Sequence, residues 1–216
     1  NLLAGTLPVW NGMLNSIIVA GLSALVSVYF STMTAYAIHA YDFGLKKFIY
    51  PFILMIMMIP TQVTALGFVQ LVGKMHLEDS FIPLIVPTIA APVTFFYMKQ
   101  YMESALPLSL IEAARIDGAN YFQISTRIIL PLIVPMIETC VVLAVVGSLK
   151  TFDFVYVMTN GGPVGATEVP STIMYDLLIN RSVYGEGSAA AVFIVVECLL
   201  FTVVLRYAFK KIKEKF

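Results

Sequence analysis

Charge is scarce in this sequence. Only 12% of its 216 residues are Asp, Glu, Lys or Arg and 59% are apolar, against roughly 25% charged in ordinary soluble domains. A soluble domain of this size has too little interior to hide that much apolar surface, and the mean hydropathy of +0.89 excludes the class. Net charge is zero, with 13 basic and 13 acidic residues, so the electrostatic footprint of a nucleic-acid binder is missing. Cysteine is nearly absent: Cys140 and Cys198 both fall in apolar runs, where thiols act as small packing residues. Two such residues make neither a disulfide framework nor a metal site. There is no Gly-x-x-x-x-Gly-Lys-Ser/Thr loop to cradle phosphates, and no nucleophile–base pair or metal-type His/Asp grouping. Catalysis, a bound metal, a cofactor and ATP hydrolysis are therefore not expected of this chain.

What the sequence has instead is long neutral stretches. Crossing a bilayer takes roughly 20 mostly apolar residues, and five segments qualify: 13–38, 48–73, 81–98, 128–149 and 187–205. The first two contain no charged side chain. The third carries Pro83, Pro87 and Pro92, and the last two carry one charge each, Glu138 and Glu197. Lipid offers no partner to a backbone N–H or C=O, so each span is a helix or part of a closed barrel. Barrel strands alternate apolar and polar residues; Ile53-Leu54-Met55-Ile56-Met57-Met58 does not. The expected fold is an all-α integral membrane protein with about five transmembrane helices.

Basic residues set the orientation. Placing Arg206, Lys210, Lys211, Lys213 and Lys215 in the cytoplasm puts ten basic residues inside and leaves only Lys74, Lys150 and Arg181 outside. The C-terminus and segments 39–47 and 99–127 are then cytoplasmic. Segments 74–80 and 150–186 are external, the latter turning at Asn160-Gly161-Gly162-Pro163. His39 and His76 fall on opposite membrane edges in this topology, too far apart to share a metal.

The densest pattern lies in 105–131. Ser109 with Glu112 three residues later has the form of a capping box, Ala113, Ala114 and Arg115 are good helix formers, and Gly118 suits the left-handed residue that ends a helix. Asn120 can cap a second helix running toward Ile128 and Pro131. A short helix, a bend and another helix are expected, with Ala113 and Ala114 leaving a thin surface for another protein's backbone.

The full string is Glu112-Ala113-Ala114, three residues, Gly118, nine residues, Ile128, one residue, Leu130-Pro131. It resembles the permease signature of ATP-binding-cassette importers. Glu112-Ala113-Ala114-Arg115-Ile116-Asp117-Gly118-Ala119 is similar to the version in their bacterial carbohydrate-uptake branch, the maltose/oligosaccharide type. Asn15-Ser16, Ala35-Tyr36-Ala37, Pro107, Pro135 and Thr159-x-Gly161-Gly162-Pro163-x-x-x-Thr167 also fit. The resemblance implies that 1–216 is a single permease domain of a bacterial inner membrane. It implies that 105–131 is a cytoplasmic coupling loop, with a short coupling helix, between the third and fourth spans. Glu112, Ala113, Ala114, Asp117, Gly118, Leu130 and Pro131 would couple it to a separate ATPase that carries ATP and Mg. A second permease subunit, an extracytoplasmic solute-binding protein and a sugar are the other implied partners, with membrane lipid around the spans. Such permeases usually have six core spans, so a sixth helix before Asn1 is expected.

Glu138 and Glu197 sit mid-run, where a charge costs at least about 2.5 kcal/mol on insertion scales. Two readings stand: polar groups on a solute path, or hydrogen-bonded links between helices. An ion-coupled secondary transporter or channel would use both carboxylates for protons, but it leaves the Glu112-to-Pro131 spacing unexplained.

Overall fold

Long apolar runs must satisfy their backbone internally, and the structure does so with helices. It is a computed structural model that describes residues 9–77, 80–158 and 168–215, and among these every regular element is helical. Among the described residues, four stretches are long and apolar enough to cross a membrane: Ile17–Ala40, Ile82–Ala105, Tyr121–Leu149 and Tyr184–Lys213. They correspond to the first, third, fourth and fifth expected spans. The Gly161-Gly162-Pro163 turn lies outside the described residues.

Helix α1 (Val9–Ala40) buries one stripe, Ala24, Ser27, Val28, Ser31, Ala35 and Ile38. Its steps of three and four keep those residues on one face, and small residues there allow close helix approach in lipid. The expected second span is not one helix. It is divided into α2 (Lys46–Ile56) and α3 (Thr61–Lys74). Pro60 stands between them with extended backbone, φ −60° and ψ 128°. It has no N–H to extend the ladder of α2 and disfavours helical geometry at Ile59. Hydropathy is blind to this break, because Met57–Pro60 contains no polar side chain.

The third span bends as its prolines suggest. Helix α4 (Ile82–Ile85) passes through a 3-10 turn, Val86–Ile89, to α5 (Pro92–Ala105). The Ser31 hydroxyl donates to the Ala91 carbonyl at the bend, 3.3 Å away. Helices α6 (Leu108–Ile116) and α7 (Tyr121–Ile124) follow. A π turn, Ser125–Ile129, leads into α8 (Leu130–Leu149). Beyond it come α9 (Asp153–Met158), α10 (Pro170–Tyr175), a second π turn at Asp176–Asn180, and α11 (Tyr184–Lys213).

The chain forms two compact units. One comprises Ala24–Ile59, Pro87–Leu143 and Val204–Phe216; the other comprises Asn1–Ser23, Pro60–Val86 and Ala144–Val203. In the first, Met98, Met102, Leu106, Ile124 and Cys140 are fully buried and join Ala35, Ile38 and Ile111 in one apolar cluster. In the second, α3 packs on α9. There the Phe152 ring lies 5.0 Å from Tyr156 and 5.1 Å from Tyr175, and the Ser171 hydroxyl donates to the Thr151 carbonyl at 2.7 Å.

Candidate functional site

The 105–131 segment folds as helix, bend and helix, with one correction to its start. Ser109 and Glu112 do not form a capping box: α6 begins two residues earlier than that pattern requires, its N-cap is Pro107 (φ −62°, ψ 128°), and no side chain caps it. Proline presets the extended approach and keeps Leu106 out of the helical region (φ −125°, ψ 79°), so the helix starts directly after it. Ser109 and Glu112 are then the second and fifth helical residues, out of register for mutual capping. Glu112 is exposed.

The other end follows the sequence closely. Gly118 has φ +83°, the left-handed region where a Cβ is penalised. The Ala119 N–H donates to the Ala114 carbonyl (3.0 Å) and the Gly118 N–H to the Arg115 carbonyl (3.1 Å), the two bonds of a Schellman stop. Two residues later a capping box does occur. The Asn120 side chain accepts from the Gln123 N–H at 2.8 Å, and the Gln123 side chain accepts from the Asn120 N–H at 2.9 Å. The bend is thus closed on one side by backbone–backbone hydrogen bonds and on the other by a reciprocal pair of side-chain caps.

Leu130 and Pro131 open α8 directly after the π turn. In that turn the Leu130 N–H reaches the Ser125 carbonyl, five residues back. Pro131 has no N–H to offer and its ring crowds the preceding turn, so a widened turn relieves both problems. The element is anchored from beneath: Ile111 of α6 and Ile124 of α7 enter the buried cluster with Leu106, Met98 and Ala35. His39, near the end of α1, donates from Nε2 to the Leu106 carbonyl at 2.9 Å, fixing the residue from which the loop departs.

Glu112, Ala113, Asp117 and Gly118 are exposed and Ala114 is half-buried. Beside them Ile116 is 85% exposed, Phe122 74% and Tyr121 60%. These three bare apolar area beside a bend that exposes polar and small side chains. Sequence reasoning passed over these three. Their signal was present, since they flank Asp117–Asn120 on both sides in a stretch otherwise polar.

The two span carboxylates differ. Glu138 pairs with Lys213 of α11, a cation drawn from the basic tail, so the pair ties α8 to α11. Glu197, half-buried in α11, has no ion-pair partner among the described residues. Near α9 the ring cluster of Phe152, Tyr156 and Tyr175 also went unread in the sequence. A hydrogen bond with Tyr175 holds the Tyr156 phenol above its ordinary pKa.

Residues 27–214 match the sequence pattern of the family described as "Binding-protein-dependent transport system inner membrane component". The chain belongs to that family. This inner membrane component is 32% identical over 177 residues to the arabinooligosaccharides transport system permease protein AraQ of Bacillus subtilis, covering 79% of its own length and 63% of the relative's. It is 41% identical over 100 residues to the trehalose/maltose transport system permease protein MalF of Thermococcus litoralis, 46% of this chain and 34% of the other. The match to AraQ thus spans a little under two thirds of that protein. In fold, the inner membrane component is similar to a chain of a bacterial ABC transporter involved in the import of the acidic polysaccharide alginate, with a TM-score of 0.67 at 22% identity. That likeness covers 92% of this chain and 77% of the other.

Proposed function

We propose that the chain is a permease half of an ATP-driven sugar importer. In this reading it forms part of the translocation path by alternating access, and α6 with its Gly118 bend docks on a separate ATPase. The observation that carries the reading is the coupling element itself. A short helix stopped by a left-handed glycine is anchored by Ile111 and Ile124 and bares Ile116, Tyr121 and Phe122. A part with a buried root and an exposed apolar head suits a load passed between chains, because close-packed interiors transmit displacement rather than absorb it. Within it, Glu112, Ala113, Ala114 and Asp117 supply the polar and thin parts of the docking surface. Leu130 and Pro131 join it to α8.

The substrate class is taken from the relatives, whose names specify arabinooligosaccharides and trehalose/maltose. The remaining parts of the assembly are a second permease subunit and an external solute-binding protein, with ATP and Mg held on the ATPase. The basic C-terminal end of α11 and the 105–131 loop are cytoplasmic, following the distribution of Lys and Arg. The single domain spans the chain, with 105–131 as its coupling loop.

The test is purification of the tagged protein from its own membranes in mild detergent, followed by identification of co-purifying chains and an ATPase assay. Recovery of an ATP-binding subunit whose hydrolysis rises with sugar-loaded binding protein is the expected result. Uptake that persists without ATP and collapses with an ionophore overturns it in favour of an ion-coupled carrier, with Glu197 the next residue to examine.

A further inference from the structure

We propose that the pocket between the Tyr41–Leu45 segment and α5 binds one anionic phospholipid, its phosphate held by Lys46, Lys47 and Lys99 and its acyl chain lying in the apolar groove alongside.

The start of α2 is electrostatically unusual. Helix N-termini carry partial positive charge and favour acids, yet α2 opens with Lys46-Lys47, has no acidic residue in its first turn and no side-chain cap. The ammonium of Lys99, from α5, lines the same pocket, whose volume is about 540 Å³. Two carboxylates answer these three lysines. Glu103 pairs with Lys99 at 2.6 Å, while Asp42 reaches Lys46 only at 3.5 Å from a fully exposed position. Lys47 has no carboxylate partner among the described residues. The Tyr50 ring sits 4.1 Å below the Lys99 nitrogen and orients it. His39 also lines the pocket, but its Nε2 is already committed to the Leu106 carbonyl.

The pocket has an apolar neighbour. Ile38 and Phe43 line it and also line a second cavity of about 350 Å³, whose other walls are Phe30, Met33, Thr34, Ala37 and Ile49. That groove runs along the span Ile17–Ala40, where Phe30 and Met33 are exposed. A cationic pocket that shares a wall with an apolar groove at the end of a membrane span matches one chemistry, an anionic headgroup with a hydrocarbon tail. A free phosphate would leave the groove unused, and an acidic peptide would have to lay charge along it. The proposal is independent of the sugar-import reading, since it needs only that the spans lie in a membrane.

The test uses the whole protein with whatever subunits co-purify, in neutral detergent. Bound phosphatidylglycerol and phosphatidylcholine are counted by native mass spectrometry. The wild-type protein is expected to retain phosphatidylglycerol preferentially. Each lysine near an anionic lipid surface contributes about a fivefold effect, so Lys47→Gln lowers retention by about that factor. The K46Q/K47Q/K99Q variant loses the preference, and Lys150→Gln leaves it unchanged. Phe43→Asn, in the shared wall, weakens retention with all three lysines intact. If the triple variant elutes abnormally, Lys47→Gln carries the test alone, because Lys47 has no ion pair to lose. Retention of phosphatidylglycerol that is unchanged in Lys47→Gln overturns the proposal. So does displacement of the lipid by glycerol phosphate at equal concentration, which makes the site one for a soluble anion. So does displacement by an acidic peptide, which makes it a protein contact.

Discussion

In the unit that holds the coupling element, Met98, Met102 and Leu106 have no exposed surface, and Ile111, Ile124, Ile129 and Ile133 close around them. In the other unit, burial is scattered over Val72, Val145, Leu149 and Ile194, with polar Ser171 and Thr172 among them. Helix α11 shows the extreme case: only 6% of its most apolar window is buried. A surface of that kind is solvated by lipid or covered by another chain, and it loses little when altered. The contrast teaches where this protein concentrates stiffness. The element that the proposed function loads is seated in a close-packed cluster, and the unit with the barest helix is pinned at a few points.

The comparison can be sharpened first at Leu106. Leu106→Ala leaves a cavity at the root of the coupling loop, at an expected cost of about 2–5 kcal/mol, read as a lower unfolding midpoint of the solubilised protein. Ile194→Ala in the other unit should cost clearly less, and equal losses would erase the distinction between the units. One position in the looser unit is expected to behave like the tight one. A Cβ at Gly187 would lie 2.5 Å from Leu178 Cγ, so Gly187→Ala should cost about 1–3 kcal/mol through overpacking. The same unfolding measurement, made alongside Leu178→Ala with Gly187→Ala, should return part of the loss.

Gly118 separates stiffness from space. Nothing lies within 4 Å of a Cβ built there, yet its φ is +83°, so Gly118→Val costs about 1–2 kcal/mol of backbone strain without a clash. Sugar uptake at normal expression is expected to fall further than this loss of stability explains. Gly118→Asn should recover part of it, since Asn tolerates the left-handed region. Full activity of the valine variant would remove the bend from the coupling mechanism. The smallest effect is expected at Leu199, 60% exposed on α11. Leu199→Ala should shift the midpoint by no more than about 0.5 kcal/mol, and a larger shift would reveal a covering partner retained in detergent.

Much of this was legible in the residues, because bilayer thickness turns apolar length into span count and backbone chemistry turns Gly118 and Asn120 into a stop and a start. The failures have equally local causes. Hydropathy runs unbroken through Met57–Pro60, so the division of the second span into α2 and α3 left no mark on it. Ser109 and Glu112 have the spacing of a capping box, but Pro107 sets the helix origin and moves both out of register. The partner of Glu138 lies in a distant basic tail, and the sequence gives no hint which of its lysines folds back. Ile116, Tyr121 and Phe122 were readable only by asking which apolar residues had nothing to bury against.

The π turn at Ser125–Ile129 carries a consequence of another kind. Each residue added to a helix advances its azimuth by about 100°, and the widened turn holds one residue more than a regular helix would over the same rise. It therefore acts as a phase setting between α8 and the element before it. Conservative substitutions inside the turn leave that setting alone. Deleting a single residue is expected to rotate α6 and α7 by more than a quarter turn about the axis of α8; under the proposed function the wrong side of the element then meets the ATPase, with no surface side chain changed. The length of this short turn, more than its lettering, fixes the angle at which α6 and α7 stand to α8.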